Sequence, residues 1–421
     1  MRFTKQLAQA SFALAATSIL TACGGGSDDV ATPVTYSVGR TSIEWTDTSR
    51  DEMCGAQPAG TKRRLQAYVW YPADPAAGAK KAPLLSTDQV AYLAAAQETL
   101  ADLLSKLPSN SYLEAPVARR NASYPVLLMS HGGGGGSPQQ YASTAEALAA
   151  KGYIVLGLSH PYQSIATFYA NGDVVTLDPA CDPLGAQPEI TETSTYADFT
   201  ANWQYTVQLD ACLTADFASA ITQLKTLNAG SGVFGRRMEL DRIGALGHSF
   251  GGSHAFRAAR ELSAVVAAAN MDGTVFSEEF AQGAGAGKAL LTMVGGEATG
   301  AAADAALAAQ IAQLQGLGMS LPQATEVANR GRPQNAYAAS RPAYLLSIPT
   351  AKHMNFSDAG LWNEYGIPAD TETVNVPAAK AILDLQNRVL ADFFDKHLQR
   401  RNLTLSVPAT SLTGVRLETR D

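Results

Sequence analysis

Residues 247–251 read Gly-His-Ser-Phe-Gly, entered from the apolar run Ile243-Gly244-Ala245-Leu246 and followed at once by Gly252. A serine set between two glycines where a buried strand runs into a helix demands a very tight turn. Side chains two before and two after the serine would strike neighbouring backbone, and the serine hydroxyl is left standing clear of its own chain. The strand that enters this turn is a continuous apolar run without alternation, as strands buried on both faces are, and such strands with helices between them imply a mostly parallel sheet.

The rest of the chain supplies that sheet. Strands are predicted over residues 35–43, 65–71, 126–129, 153–158, 243–246, 265–269, 290–294 and 344–348, several of them continuous apolar runs without alternation. Helical patterns lie between them. Residues 138–150 open after Ser137 and close at Gly152; Leu307, Ile311, Leu314 and Leu317 line one face of another helix; Pro377 starts a C-terminal helix with a stripe of Ile382, Leu385, Val389 and Phe393. Three segments exceed a minimal alternating sheet. These are residues 84–124, with Leu93, Leu100, Leu103 and Leu107; residues 161–205, with Phe168, Tyr169, Tyr196 and Trp203; and the alanine-rich residues 299–342. Insertions of this kind at strand C-terminal ends are expected to form a cap over a pocket. The expected architecture is a single α/β domain over residues 35–404, a mostly parallel sheet of about eight strands flanked by helices, followed by a C-terminal tail over 405–421.

Ahead of the domain, Arg2 and Lys5 precede an apolar run over residues 12–20 that is too short to span a bilayer. Residues 1–22 therefore read as a signal peptide. Leu20-Thr21-Ala22-Cys23 has the form of a lipobox, which predicts cleavage before Cys23, lipid on its sulfur, and a flexible tether over residues 23–34. With glycine after the cysteine, the expected location is the cell envelope, anchored to the outer membrane. Cys54, Cys181 and Cys212 remain in an oxidising compartment, and Cys181 with Cys212 is the expected disulfide. A net charge of −7 and the lack of a basic cluster exclude a nucleic-acid partner, and no Cys/His spacing suggests a metal.

If Ser249 is a nucleophile, it needs a base to take its proton. The chain has six histidines. His248 adjoins the serine, His254 falls on the following helix, and His397 sits among Lys396, Arg400 and Arg401. His131 and His160 lie in nearby loops but precede the serine. In the chain order serine, acid, histidine, His353 is the candidate, directly after the last apolar strand. Two carboxylates end strands in the right interval, Asp272 and Glu297, and either could orient the imidazole.

Taken together these motifs resemble the platelet-activating-factor acetylhydrolase-like branch, of isoform II type, of bacterial α/β-hydrolases. The resemblance rests on Val69-Trp70-Tyr71-Pro72, Ser130-His131-Gly132-Gly133, Gly152-Tyr153, Ser159-His160-Pro161-Tyr162, Gly247-His248-Ser249-Phe250-Gly251-Gly252, Met271-Asp272-Gly273-Thr274 and His353 with Asn355-Phe356-Ser357-Asp358. It implies an α/β-hydrolase fold and cofactor-free hydrolysis of short-acyl carboxylic esters, whether phospholipid-like, alkyl, aryl or polymeric. It also implies that the acid is Asp272, with Glu297 in reserve. The five glycines 132–136 depart from it, since relatives carry a larger residue after the second.

The glycine run has a mechanical reading of its own. It joins a strand to a helix, and the N–H of Gly133 with that of Phe250 could form an oxyanion hole. No Gly-Lys-Ser/Thr follows it, which argues against a phosphate loop. Residues His131, Gly132, Gly134, His160, Tyr162, Trp203, His248 and Phe356 are expected around the substrate, a small-molecule ester. Two other readings share the sequence: a peptidase or acyltransferase on the same triad, and a ligand-binding lipoprotein that no longer turns over. The sequence says nothing of oligomeric state.

Overall fold

Continuous apolar runs in this chain become strands covered on both faces. The computed structural model describes residues 35–52, 54, 57–96, 105–178, 181, 184, 187–276, 287–296 and 298–420. The signal peptide, Cys23 and tether expected over residues 1–34, and the reserve carboxylate Glu297, lie outside the described residues. In chain order the strands are β1 (Ser37–Asp51), β2 (Lys62–Ala73), β3 (Ser111–Leu113), β4 (Tyr124–Ser130), β5 (Ile154–Ser159), β6 (Ala166–Phe168), β7 (Val174–Thr176), β8 (Met238–His248), β9 (Val265–Met271), β10 (Ala289–Gly295), β11 (Ala343–Ile348) and β12 (Arg416–Arg420). The helices are α1 (Thr87–Ala96), α2 (Ala142–Ala150), α3 (Tyr196–Ala229), α4 (Phe250–Glu261), α5 (Ala301–Gly316), α6 (Leu321–Asn329), α7 (Pro333–Ala339) and α8 (Ala379–His397).

Ten strands form one sheet in the order β12-β11-β10-β9-β8-β4-β5-β2-β1-β3. The six from β11 to β5 run parallel, and β2, β1 and β12 are antiparallel to their inner neighbours. Every residue of β4, β5 and β11 is buried, as the absence of alternation predicts. By contrast β1 alternates from Thr41 onward, as an outer strand with one wet face should. One core, with Ile382, Leu385, Val389 and Phe393 of α8, lies on one face of the sheet. The other, with Phe217 and Leu224 of α3 and Phe256 of α4, lies on the opposite face. Residues 35–421 form one compact unit.

Three expectations need correction. The tail over 405–421 ends in β12, whose sequence Arg-Leu-Glu-Thr-Arg has no apolar pattern; it is held by backbone pairing to β11, and charged side chains suit a sheet edge. The second insertion does not stop at residue 205. Its last ten residues begin α3, a helix of 34 residues whose start is fixed by Thr195 and Asp198 capping each other.

The disulfide joins Cys54 to Cys181, not Cys181 to Cys212. The reason is how the second insertion folds: it lies back over the β1–β2 hairpin, with the Tyr169 hydroxyl donating to the Arg64 carbonyl at 2.9 Å and Arg64 paired with Asp173 at 2.8 Å. Gln57 Nε2 likewise donates to the Tyr162 hydroxyl at 2.8 Å. Cys181 is thereby set beside Cys54, with 4.1 Å between Cα atoms, while Cys212 rides on α3 outside the bridge. The bridge spans 127 residues. Replacing Cys54 or Cys181 by serine is expected to lower the unfolding free energy by about 2–5 kcal/mol in urea titrations. A non-reducing peptide map should show the 54–181 cross-link and lose it in either variant, but keep it in Cys212→Ser.

Candidate active site

Parallel strands end at the same edge of a sheet, so the loops that follow them meet. Here β4 leads into His131 and the glycine run, β5 into His160, β8 into Ser249, β9 into Asp272 and β11 into the His353 loop. Residues scattered over more than half the chain are brought to one edge by this topology alone.

Ser249 occupies the turn with φ 55° and ψ −126°, a conformation costly for a residue with a side chain. The surroundings impose it. A Cβ at Gly247 would overlap the Gly251 carbonyl, and one at Gly251 would overlap the Ser130 carbonyl and lie 2.5 Å from that of His131. Ser249 N–H also stays in the ladder, donating to the Met271 carbonyl at 2.9 Å.

The acid turn is built with similar economy of space. Asp272 has φ 53°, and the Asn270 side chain staples the turn by accepting from Gly273 N–H at 2.7 Å. The Ser253 hydroxyl of α4 donates to the Thr274 carbonyl at 2.7 Å, tying this turn to the elbow helix. Of the Asp272 carboxylate oxygens, Oδ1 accepts from Gly295 N–H at 2.7 Å and Oδ2 meets His353 Nδ1 at 2.8 Å. A carboxylate only accepts, so Nδ1 carries the proton and Nε2 of His353 is left with its lone pair.

His353 and Ser249 line one cavity of about 200 Å³ with Gly132–Gly136, Gln140, Tyr141, His248 and Met354. Among the described residues the Ser249 hydroxyl makes no hydrogen bond; in substrate-free sites of this kind the contact to the base is often long and tightens on loading. Gly133 stands opposite Phe250, where an added Cβ would lie 3.6 Å from that of Phe250. The two residues expected to supply oxyanion donors therefore face each other.

Of the other residues expected around the substrate, Gly132, Gly134 and His248 line the cavity. The rest do not. His131 and His160 are buried in the floor; Phe356 is buried against His248, rings 6.4 Å apart; Tyr162 turns to Gln57; Trp203 packs edge-on to Phe276 at 5.0 Å. Among the described residues the second insertion meets the glycine run at its rim, where Ile165 N–H donates to the Gly136 carbonyl at 3.2 Å and Leu177 lies against Gly135. Tyr141, Gln140 and Met354 were not singled out from sequence, because nothing in a helix start or a polar loop marks them.

Beneath the cavity lies a second serine–histidine–aspartate alignment. Ser130 Oγ is 2.9 Å from both His160 Nε2 and His254 Nδ1, and His160 Nδ1 is 2.8 Å from Asp216. All four side chains are buried, so this group is closed to solvent and braces the loops above it. Burial alone would raise the Asp216 carboxyl, but Arg63, bound through two nitrogens at 2.8 Å each, holds it well below the usual carboxylate range. The bracing is direct: His131 Nδ1 donates to the Gly132 carbonyl at 2.7 Å, and its Nε2 accepts from Ser164 at 2.7 Å.

This sheet order and its loop edge are those of the α/β-hydrolase fold. A ferulic acid esterase from Streptomyces cinnamoneus has the same fold, with TM-score 0.63 and 23% identity over 92% of this chain and 98% of that one. Within the class, residues 37–200 match the family model for platelet-activating factor acetylhydrolase, isoform II. The chain thus has the α/β-hydrolase fold, and its first part is similar to the platelet-activating-factor acetylhydrolase family. The matched region holds the glycine loop and His160; Ser249, Asp272 and His353 lie beyond it. No curated protein matched the chain.

Burial drives three of these imidazoles to the neutral form. His131 and His248 are each pushed down to about 3 by desolvation and a neighbouring histidine, and His254 falls well below its ordinary value for the same reasons. Unfolded, each would protonate near pH 6.5, so unfolding takes up protons and each ring costs about 1.4 kcal/mol of stability per pH unit below that value, down to its folded pKa. NMR titration is expected to find all three rings neutral from pH 8 to 5; titration of any of them near 6.5 contradicts the burial described.

Proposed function

We propose that the protein is a serine carboxylesterase for short-acyl esters, with Ser249 as nucleophile, His353 as general base and Asp272 as the residue that orients it. The observation that carries this reading is the 2.8 Å contact of Asp272 with His353 Nδ1, beside the cavity His353 shares with Ser249. Ser249 attacks the ester carbonyl and its proton passes to His353 Nε2. The oxyanion is received by the N–H groups of Gly133 and Phe250. His353 then gives its proton to the departing alcohol, and a water activated by the same ring releases the acid from the acyl-enzyme.

A cavity of about 200 Å³ is smaller than the ~300–1,000 Å³ of pockets for drug-sized ligands, which supports a small acyl group. The leaving side is less constrained. Phe250, Phe276 and Trp203 form an aromatic row beside the elbow, with ring centres 6.4 Å and 5.0 Å apart, outside the cavity lining, so aryl, alkyl, phospholipid-like and polymeric esters all stay within the reading. The same reading carries the lipid at Cys23, which would hold the enzyme at the outer membrane through the tether.

The test is a chain-length series of p-nitrophenyl esters with the purified protein, run beside Ser249→Ala and a fluorophosphonate label. Activity is expected to peak at about two to four acyl carbons and to vanish with Ser249→Ala. Asp272→Asn should lose on the order of 10⁴ in kcat and Glu297→Gln little. A peak at long chains, or full activity in Asp272→Asn, counts against the assignment; turnover of amides or transfer to alcohols would favour a peptidase or acyltransferase.

A further inference from the structure

His248 adjoins the nucleophile, yet it is buried and cannot reach solvent as a base would need to. Its two nitrogens are both engaged. Nε2 lies 2.9 Å from the backbone carbonyl of His353, and Nδ1 lies 2.9 Å from the Tyr141 hydroxyl. Tyr141 Oη in turn receives Gly132 N–H at 3.2 Å.

These contacts fix every proton in the series. A carbonyl oxygen only accepts, so Nε2 of His248 must carry the hydrogen. In the neutral ring Nδ1 then has only a lone pair, so the Tyr141 hydroxyl must donate to it. The tyrosine oxygen is thereby free to accept from Gly132. Burial supports the assignment by keeping the ring neutral and the phenol protonated.

We propose that Tyr141 and His248 are positioning residues, which lock the oxyanion loop to the base-bearing loop through one directed series of hydrogen bonds from Gly132 N–H to the His353 carbonyl. The inference rests on the esterase reading above and deepens it. It has a consequence for the oxyanion hole: Gly132 N–H is committed to Tyr141, so the loop's donor must come from Gly133. It also explains why a tyrosine at the start of a helix should matter. Tyr141 closes the turn of Pro138–Tyr141, and two residues later Asp358 accepts from Ser143 N–H at 3.1 Å and from the Ser143 hydroxyl. That second tie holds the base-bearing loop to the same helix when the tyrosine hydroxyl is removed, so the variant keeps its loops attached.

The experiment uses the purified full-length chain, with Tyr141→Phe, His248→Ala and the double variant assayed on p-nitrophenyl acetate. Each single change is expected to lower kcat about 10- to 100-fold with KM within about threefold. Because both act through one series, the double variant should fall no more than about threefold below the worse single one. Tyr153→Phe is the control for loss of a buried hydroxyl: it removes a 2.7 Å bond to Asp395 far from the site and should leave kcat unchanged. Tyr141→Phe with kcat within twofold of the parent, or a double variant whose loss is the product of the single losses, overturns the proposal.

A second readout needs no turnover. Nitrogen-15 NMR of the His248 ring should show the Nε2–H tautomer at pH 7.5, and a ring protonated at Nδ1 overturns the series directly. A parent protein that leaves the ester intact would sink the esterase reading and this catalytic role together, whereas a wrong tautomer in an active parent sinks only the series.

Discussion

Backbone passing against backbone without side chains between is the constraint on which this site depends. The elbow at Ser249 exists because Gly247 and Gly251 let the end of β8 and the start of α4 lie against each other and against the carbonyls that end β4. Gly273 extends the same condition to the acid turn, where a Cβ would overlap the Ser249 carbonyl. With three loops packed at backbone distance, their side chains converge on a volume of a few water molecules. A single methyl group at any of these glycines would push the loops apart by more than a hydrogen bond tolerates.

Convergence of this kind leaves polar loop atoms out of reach of water, and the protein satisfies them with buried side chains. The Ser130, His160 and Asp216 group, closed by Arg63, joins β4, β5, α3 and β2 under the glycine loop. A buried ion pair is weak evidence of net stability, because removing two charges from water offsets much of their attraction. Its value here is geometric. An imidazole with both nitrogens engaged has one orientation, and His131 and His160, each held at both, fix the backbone from which Gly132 and Gly133 hang.

Much of this was legible in the sequence, and the limits have physical causes. All eight predicted strands are in the sheet, and the six parallel ones are legible because strands covered on both faces carry an uninterrupted apolar signal. The C-terminal helix reads correctly from Ile382 to Phe393 because its period is undisturbed. Asp272, the carboxylate that the family resemblance implies, meets His353 at the end of β9, while Glu297 lies outside the described residues. What failed were features set by long-range packing. Edge strand β12 is defined by its partner's backbone, not by its own residues. The cysteine pairing depended on where residues 161–181 fold back, which spacing along the chain does not encode. His131 and His160 lie in the right loops, but only the packing of α3 beneath them decides that they face inward and not toward substrate.

Five imidazoles crowd this end of the sheet, and they differ in one respect that the protein needs. His131, His160, His248 and His254 are sealed, while the His353 side chain is 43% exposed. Of the five rings at this edge, His353 is the one open to bulk water, and the other four are held inside the fold.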